Sequence, residues 1–254
     1  METIGLIAAM PSESHALLRC IKGWKRVTLG KFRSYRFQIS GRDCLLVTSG
    51  IGLKRAMDAT RALLTETSPT LLVSFGIAGA VYEDLHIGDV VIAENTCLLD
   101  KNLPGQIQPL VTLSETAWEA AVQVLQPEGA RLLAGTAITT RGSQGAPQQL
   151  EEMPHPVLEM ETAGIAQVAA ERGIPLLSIR SISDGPQSPI PFNLEAMMDD
   201  EYNFRVGKMI LMVLRHPQII FQSRQMLQNS RKAADHAARA LVVALSQPSP
   251  VIIP

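Results

Sequence analysis

Short, continuously apolar runs alternate with amphipathic stretches along this chain, and that alternation constrains its fold more than any other feature. Residues 4–10 (IGLIAAM), 70–75 (TLLVSF), 90–93 (VVIA), 131–140 (RLLAGTAITT) and 175–183 (PLLSIRSIS) are strand-length and apolar on both faces. Strands of that kind belong to sheets covered on both sides. Helical patterns lie between them: from Ser12 through Ile21, Leu53 to Thr67, 114–126, and from Glu159 to Ala170. A hairpin is expected where 34–40 and 43–48 flank Gly41-Arg42. The order predicts an α/β fold of three layers, a central mixed β-sheet flanked by helices. Residues 95–112 read as a long loop, and SETAWEAAVQVLQ carries two competing starts, Ser114 and a Thr116/Glu119 capping box. One α/β domain is expected over 1–201. A helical C-terminal extension, 202–254, packs on it and ends in a loose tail.

Composition removes several function classes. Lys plus Arg number 23 against 24 Asp plus Glu, so no overall basic excess draws the chain to nucleic acid. Aromatics are 4%, too few for base-stacking platforms. Cys20, Cys44 and Cys97 are widely spaced and odd in number, as in a cytoplasmic chain with reduced thiols. The histidines are scattered, with no HExxH and no zinc spacing, so no metal and no organic cofactor is implied. No 18-residue apolar run is present, and the N-terminus lacks a basic n-region.

Three acids sit where strands should end: Glu13, Glu161 and Asp184. In open α/β sheets, ligands collect at such ends. Glu159 and Glu161 are i and i+2, so on one helix they would face apart, and one of them is expected to be structural. SGIG (49–52) and FGIAGA (75–80) are glycine turns that match neither a P-loop nor a dinucleotide fingerprint. The residues alone reach an acidic small-molecule site in an α/β protein.

The order IGLIAAMPSE, SGIG, FGIAGAVYEDLHIGDVV, LEMETAGIAQVA, IRSISD resembles the nucleoside phosphorylase and nucleosidase superfamily. Within it, the likeness is to the methylthioadenosine/S-adenosylhomocysteine nucleosidases, over roughly residues 3–195. The resemblance implies a purine nucleosidase that releases adenine from an adenosine-type nucleoside. Asp184 would protonate N7 of the leaving purine, which requires a raised pKa. Glu13 would activate water. Glu161 would hold the ribose hydroxyls, with Met160 packed on the sugar. Arg180 would hold the carboxylates, Ser183 would join the binding set, and Ala78 and Gly79 would line the base and ribose pocket. A homodimer is also implied. Phosphorylases need fixed cations for a phosphate dianion. Ser74 and Ile77 stand where that branch places its phosphate ligands, which favours hydrolysis over phosphorolysis. The rival readings are a nucleoside phosphorylase and an inactive nucleoside-binding protein on the same fold. The superfamily's base-stacking Phe falls near Ser143.

Residues 205–246 hold seven basic residues and one acid, Asp235, leaving 16 basic and 23 acidic residues elsewhere. Two readings stand: solvated helices covering the core or a dimer partner, and a basic amphipathic surface for anionic membranes. VLRHPQ followed by an Ala-rich basic helix resembles the tail of hopanoid-associated superfamily members, which implies a lipid-linked 5′ group and peripheral membrane contact.

Overall fold

A computed structural model describes residues 2–100, 103–140, 150–188 and 219–252, with backbone alone for 219–223. The sheet begins with β1 (Thr3–Ala8), which pairs in parallel with β4 (Arg42–Thr48) on one side and β5 (Leu71–Ala80) on the other. β3 (Phe32–Ile39) and β2 (Lys25–Leu29) extend the β4 edge antiparallel. On the other side come β12 (Leu176–Asp184), β6 (Val90–Asp100), β10 (Leu132–Thr140) and β11 (Pro156–Glu159). β11 also pairs antiparallel with β5, so five strands close into a ring from which β1, β4, β3 and β2 reach out as an open arm.

The continuous apolar runs are explained by the pleat. On β4, Cys44 and Leu46 enter one core, while Leu45 and Val47 enter the other. On the first face lie α1 (Pro11–Arg19), α3 (Glu115–Leu125) and α5 (Ile219–Leu245). The second face is covered by α2 (Leu53–Glu66) and α4 (Thr162–Glu171). The expected three layers with a mixed sheet are present.

Local expectations are corrected at five places. Residues 95–112 are not a loop: β6 runs on to Asp100, and β7 (Leu103–Pro104), β8 (Gln108–Pro109) and β9 (Thr112–Leu113) follow. FGIAGA is not a turn but the second half of β5. Glu159 ends a strand, and α4 starts three residues later with Glu161 at its N-cap. Ser114, whose hydroxyl accepts from Ala117 N at 3.3 Å, is the N-cap of α3 in place of the Thr116/Glu119 box. The tail is tied down, because β13 (Val251–Ile252) pairs with β9.

Within α5, Ala234, Ala237, Ala238, Ala240, Leu241, Ala244 and Leu245 are buried against the first face. Small side chains at that helical spacing let the helix lie close to the sheet. Residues 234–245 thus cover part of the core. Residues 202–218 lie outside the described residues, as do the side chains of Ile219, Ile220 and Phe221. No helix among the described residues is long and apolar enough to cross a membrane.

Candidate active site

Four segments converge at the carboxyl ends of β1, β5 and β12. Pro11 occupies the first turn of α1, where a missing N–H is harmless, and Glu13 is its third residue. The Glu13 carboxylate accepts from Met10 N at 2.7 Å and from Ile77 N at 3.0 Å. One side chain thus ties the helix start to the middle of β5. Glu13 is buried, and burial raises its pKa against the opposing pull of Arg180 and the backbone N–H groups.

β12 lies in register with β5, Arg180 opposite Gly76 and Asp184 opposite Gly79. A bulge between Ile182 and Asp184 brings Asp184, in place of Ser183, opposite that glycine. Both glycines are needed for close approach. A Cβ at Gly76 would sit 2.5 Å from Glu13 Oε1 and 2.6 Å from Arg180 Nη1. One at Gly79 would sit 2.7 Å from Asp184 Oδ2. The Ser183 hydroxyl lies 2.5 Å from Asp184 Oδ1 and 3.4 Å from the Ala78 carbonyl. Burial raises the Asp184 pKa, and the serine bond only partly offsets it. With Ser183 donating to Oδ1, a proton on Asp184 belongs on Oδ2, beside Gly79.

Arg180, 1% exposed, is the hub. Its Nη2 reaches Ser74 Oγ at 2.6 Å, Glu159 Oε2 at 2.7 Å and Thr162 Oγ1 at 2.9 Å. Its Nη1 lies 3.9 Å from Glu161 Oε2, and its Nε has no hydrogen-bond partner among the described residues. Glu159 is saturated: it accepts from Glu161 N, Thr162 N and the Thr162 hydroxyl at 2.8–3.0 Å, from Arg180, and from the Thr139 hydroxyl. Among the described residues, Glu161 accepts only from Gly52 N at 2.9 Å and Met160 N at 3.3 Å, leaving acceptor capacity for a ligand. Burial first, then the neighbouring Glu159, pushes the Glu161 pKa up to about 8.

All the sequence-predicted residues therefore meet here: Glu13, Ala78, Gly79, Met160, Glu161, Arg180, Ser183 and Asp184. Of the Glu159/Glu161 pair, Glu159 is the one that serves the scaffold. The sequence reading overlooked Thr139, Thr162 and Ser74 as partners of that scaffold, since only the E-x-E-T run hinted at it. Ser74 is pinned by Arg180 and Thr162 Oγ1, 3.0 Å away, while the Ile77 side chain packs against the core. Ser143 lies outside the described residues. Among the described residues, no group of three His, Cys, Asp or Glu is placed to hold a metal ion.

Beside this cluster opens a cavity of about 590 Å³, lined by Ala9, Pro11, Thr48, Ser49 and Gly50 together with Lys31, Arg33, Lys54, Arg55 and Asp58.

The geometry can be set beside known proteins. The sequence model of the phosphorylase superfamily matches residues 3–207. A 5′-methylthioadenosine/S-adenosylhomocysteine nucleosidase of Tolumonas auensis is 34% identical over 209 residues, 74% of this chain and 90% of that protein. The Neisseria meningitidis nucleosidase of the same name, solved with methylthio-immucillin-A, superposes with a TM-score of 0.69 at 22% identity, over 97% of this chain and 99% of that one. The futalosine hydrolase of Helicobacter pylori gives 0.68 at 18% identity, over 97% of this chain and 98% of that one. With that sequence model matched over residues 3–207, the chain belongs to the phosphorylase superfamily.

Proposed function

We propose that this enzyme is a purine nucleosidase, an N-ribosyl hydrolase that frees adenine from a 5′-substituted adenosine. The observation that carries the reading is the division of labour among buried carboxyls. Burial raises the proton affinity of Asp184, and with Ser183 bonded to Oδ1 its Oδ2 is the oxygen left to carry a proton. Glu13 is raised by burial but stays anchored by two N–H groups and faced by Arg180. Pairs of carboxyls with different environments are how one site runs acid and base chemistry together.

In the proposed step, Asp184 Oδ2–H gives its proton to N7 as the C1′–N9 bond breaks. The bonding electrons leave with the purine, and positive charge grows on the ribosyl C1′ and ring oxygen. Glu13 takes a proton from water while the water oxygen bonds to C1′. Glu161 accepts the ribose hydroxyls and holds the sugar in line. The products are adenine and the free 5′-substituted ribose, and Asp184 and Glu13 exchange their protonation states until solvent restores them. The relatives named as nucleosidases support this class of reaction.

Hydrolysis fits better than phosphorolysis, because the Glu13 carboxylate repels a phosphate dianion and Ser74 is already bonded within the protein. Adenine release in phosphate-free buffer tests it. Turnover is expected to persist and to yield the free sugar. Turnover that stops without phosphate, and returns with a ribosyl 1-phosphate product, would overturn it. The same reading places the enzyme in the cytoplasm as a homodimer. The free Cys20, Cys44 and Cys97 fit the first, and exposed Leu103 and Ile107 offer apolar surface for the second. For a lipid-linked 5′ group or membrane contact, no observation among the described residues speaks: the LVVAL run of α5 packs partly into the core.

A further inference from the structure

We infer that Thr139 and Glu159 are positioning residues for the reaction: together they cap α4 in place of its own N-cap residue, Glu161, and so release the Glu161 carboxylate to hold the ribose. The inference rests on the nucleosidase reading above and deepens it, by assigning what sets the sugar-holding group in place.

An α-helix begins with N–H donors that have no partner inside the helix, and the N-cap side chain ordinarily accepts one of them. Glu161, at φ −130° and ψ −41°, is the N-cap of α4, yet its side chain makes no capping bond. The early donors go elsewhere. Glu161 N and Thr162 N reach Glu159 Oε2 at 3.0 and 2.8 Å. Ala163 N reaches Thr139 Oγ1 at 2.8 Å, and Gly164 N reaches the Glu161 carbonyl at 3.0 Å. Side chains from β11 and β10 therefore satisfy the start of the helix, and the Glu161 carboxylate has no donor of α4 left to serve. It turns instead to Gly52 N, at the start of α2, 2.9 Å away. Gly164 permits that reach. A Cβ there would stand 2.9 Å from the Leu53 carbonyl oxygen and 2.9 Å from Met57 Cγ, so the glycine lets the two helix starts lie this close.

The sheet supplies the capping pair. Thr139 and Glu159 are directly opposite in the parallel β10–β11 ladder, so their side chains stand on the same face. Both are buried. The Thr139 hydroxyl takes the Ala163 N–H on a lone pair and gives its own proton to Glu159 Oε1. Thr162 donates to Glu159 twice, from its N and from Oγ1, each at 2.8 Å. With that hydroxyl proton spent, Thr162 Oγ1 accepts from Arg180 Nη2 and from Ser74, 3.0 Å away. Every described neighbour bonded to Glu159 is thus a donor. An ionised carboxylate matches such a shell, whereas an amide would set an N–H of its own against one of these donors. The charge at residue 159 and the hydroxyl at residue 139 are therefore both needed to hold the start of α4 without help from Glu161.

The test separates positioning from plain stability. A 5′-alkylthioadenosine and its 3′-deoxy form are assayed with wild type, Thr139→Val, Thr139→Ser, Glu159→Gln and Glu161→Ala. The quantity read is the kcat/KM ratio of the ribose compound over the deoxy compound, and how it changes from wild type. Thr139→Val and Glu159→Gln are expected to lower that ratio by about fivefold, the equilibrium weight of a lost helix cap, toward the Glu161→Ala value. Thr139→Ser, which keeps the hydroxyl, is expected to recover it. Equal losses on both compounds, or a lower melting temperature with an unchanged ratio, would overturn the inference and leave the pair as scaffold. Should Thr139→Val fail to fold, Glu159→Gln decides alone. A ratio that Glu161→Ala leaves unchanged would also overturn it, because the released carboxylate then holds no hydroxyl, while continued adenine release would keep the nucleosidase reading. If wild type cleaves neither compound, the nucleosidase reading fails. Calorimetric binding of the two compounds to the same proteins then decides the positioning role: a hydroxyl preference that falls in Thr139→Val supports it, and an equal change or absent binding overturns it.

Discussion

Two charged regions lie side by side at the same end of the sheet and are built on opposite terms. The Arg180 cluster is buried, carries more carboxylates than cations, and nearly every polar atom in it is bonded to another. The cavity over β1, β4 and β3 is open, mostly cationic, and its lysines and arginines are exposed. Burial makes the difference. A charge removed from water interacts strongly with its neighbours and shifts their proton affinity, whereas the same charge in solvent is screened. The buried region can therefore hold protons in unusual places and do chemistry.

That contrast ranks the substitutions. The largest effect is expected at Asp184, where Asp184→Asn removes the proton of the proposed step but keeps the shape. kcat should fall by about 10²–10⁴-fold, the usual worth of general acid catalysis, with an unchanged circular dichroism spectrum. Wild-type turnover by the Asn variant would mean that the acid lies elsewhere and that burial here serves packing alone.

Next comes Arg180. Arg180→Ala leaves Glu159, Ser74 and Thr162 around an empty space and strips the buried carboxylates of their counter-charge. Breaking a buried pair costs about 3–5 kcal/mol. For a chain of this size each kcal/mol is worth roughly 2–4 °C, so a melting scan should drop by around 10 °C. A change under about 2 °C would show that the cluster is solvated and that the comparison with the open cavity is false.

The difference between the regions also bears on what could be read from the residues. The strands of the central sheet were legible because they are apolar on both faces, as in TLLVSF and PLLSIRSIS. β2, KRVTL, was missed because an edge strand with exposed Lys25 and Arg26 carries no such pattern. The far half of β6 and the short strands after it were missed because Glu94, Asn95 and two prolines imitate a loop. Asp184, Glu161 and Glu13 were legible through the order of their motifs. Glu159 was not, because its role depends on Thr139 and Arg180, each about twenty residues away, arriving at one point. The basic cavity was hidden for the same reason, assembled from 31–33 and 54–55 on separate elements.

A third test probes the proton at Glu161. Its folded pKa, about 8, lies above the ordinary value of 4.5, so the folded state holds a proton that the unfolded chain releases. That contribution to stability is complete below about pH 4.5 and is lost as pH rises toward 8. Glu161→Gln cannot ionise, so it escapes the loss. Its melting temperature relative to wild type should climb between pH 5 and pH 8.5 in buffers of equal ionic strength. A difference that stays constant over this range would place the raised proton affinity on another member of the cluster.

The smallest effect belongs to the open region, at Asp58. The carboxylate is 3.8 Å from Lys31, with side-chain exposures of 42% and 74%, so the pair is a surface salt bridge of at most about 1 kcal/mol. Asp58→Asn should leave the melting temperature within about 2 °C of wild type, in contrast to Arg180→Ala. A large loss of stability would instead make Asp58 a structural anchor for the β2–β3 hairpin, through its pairing with Lys31.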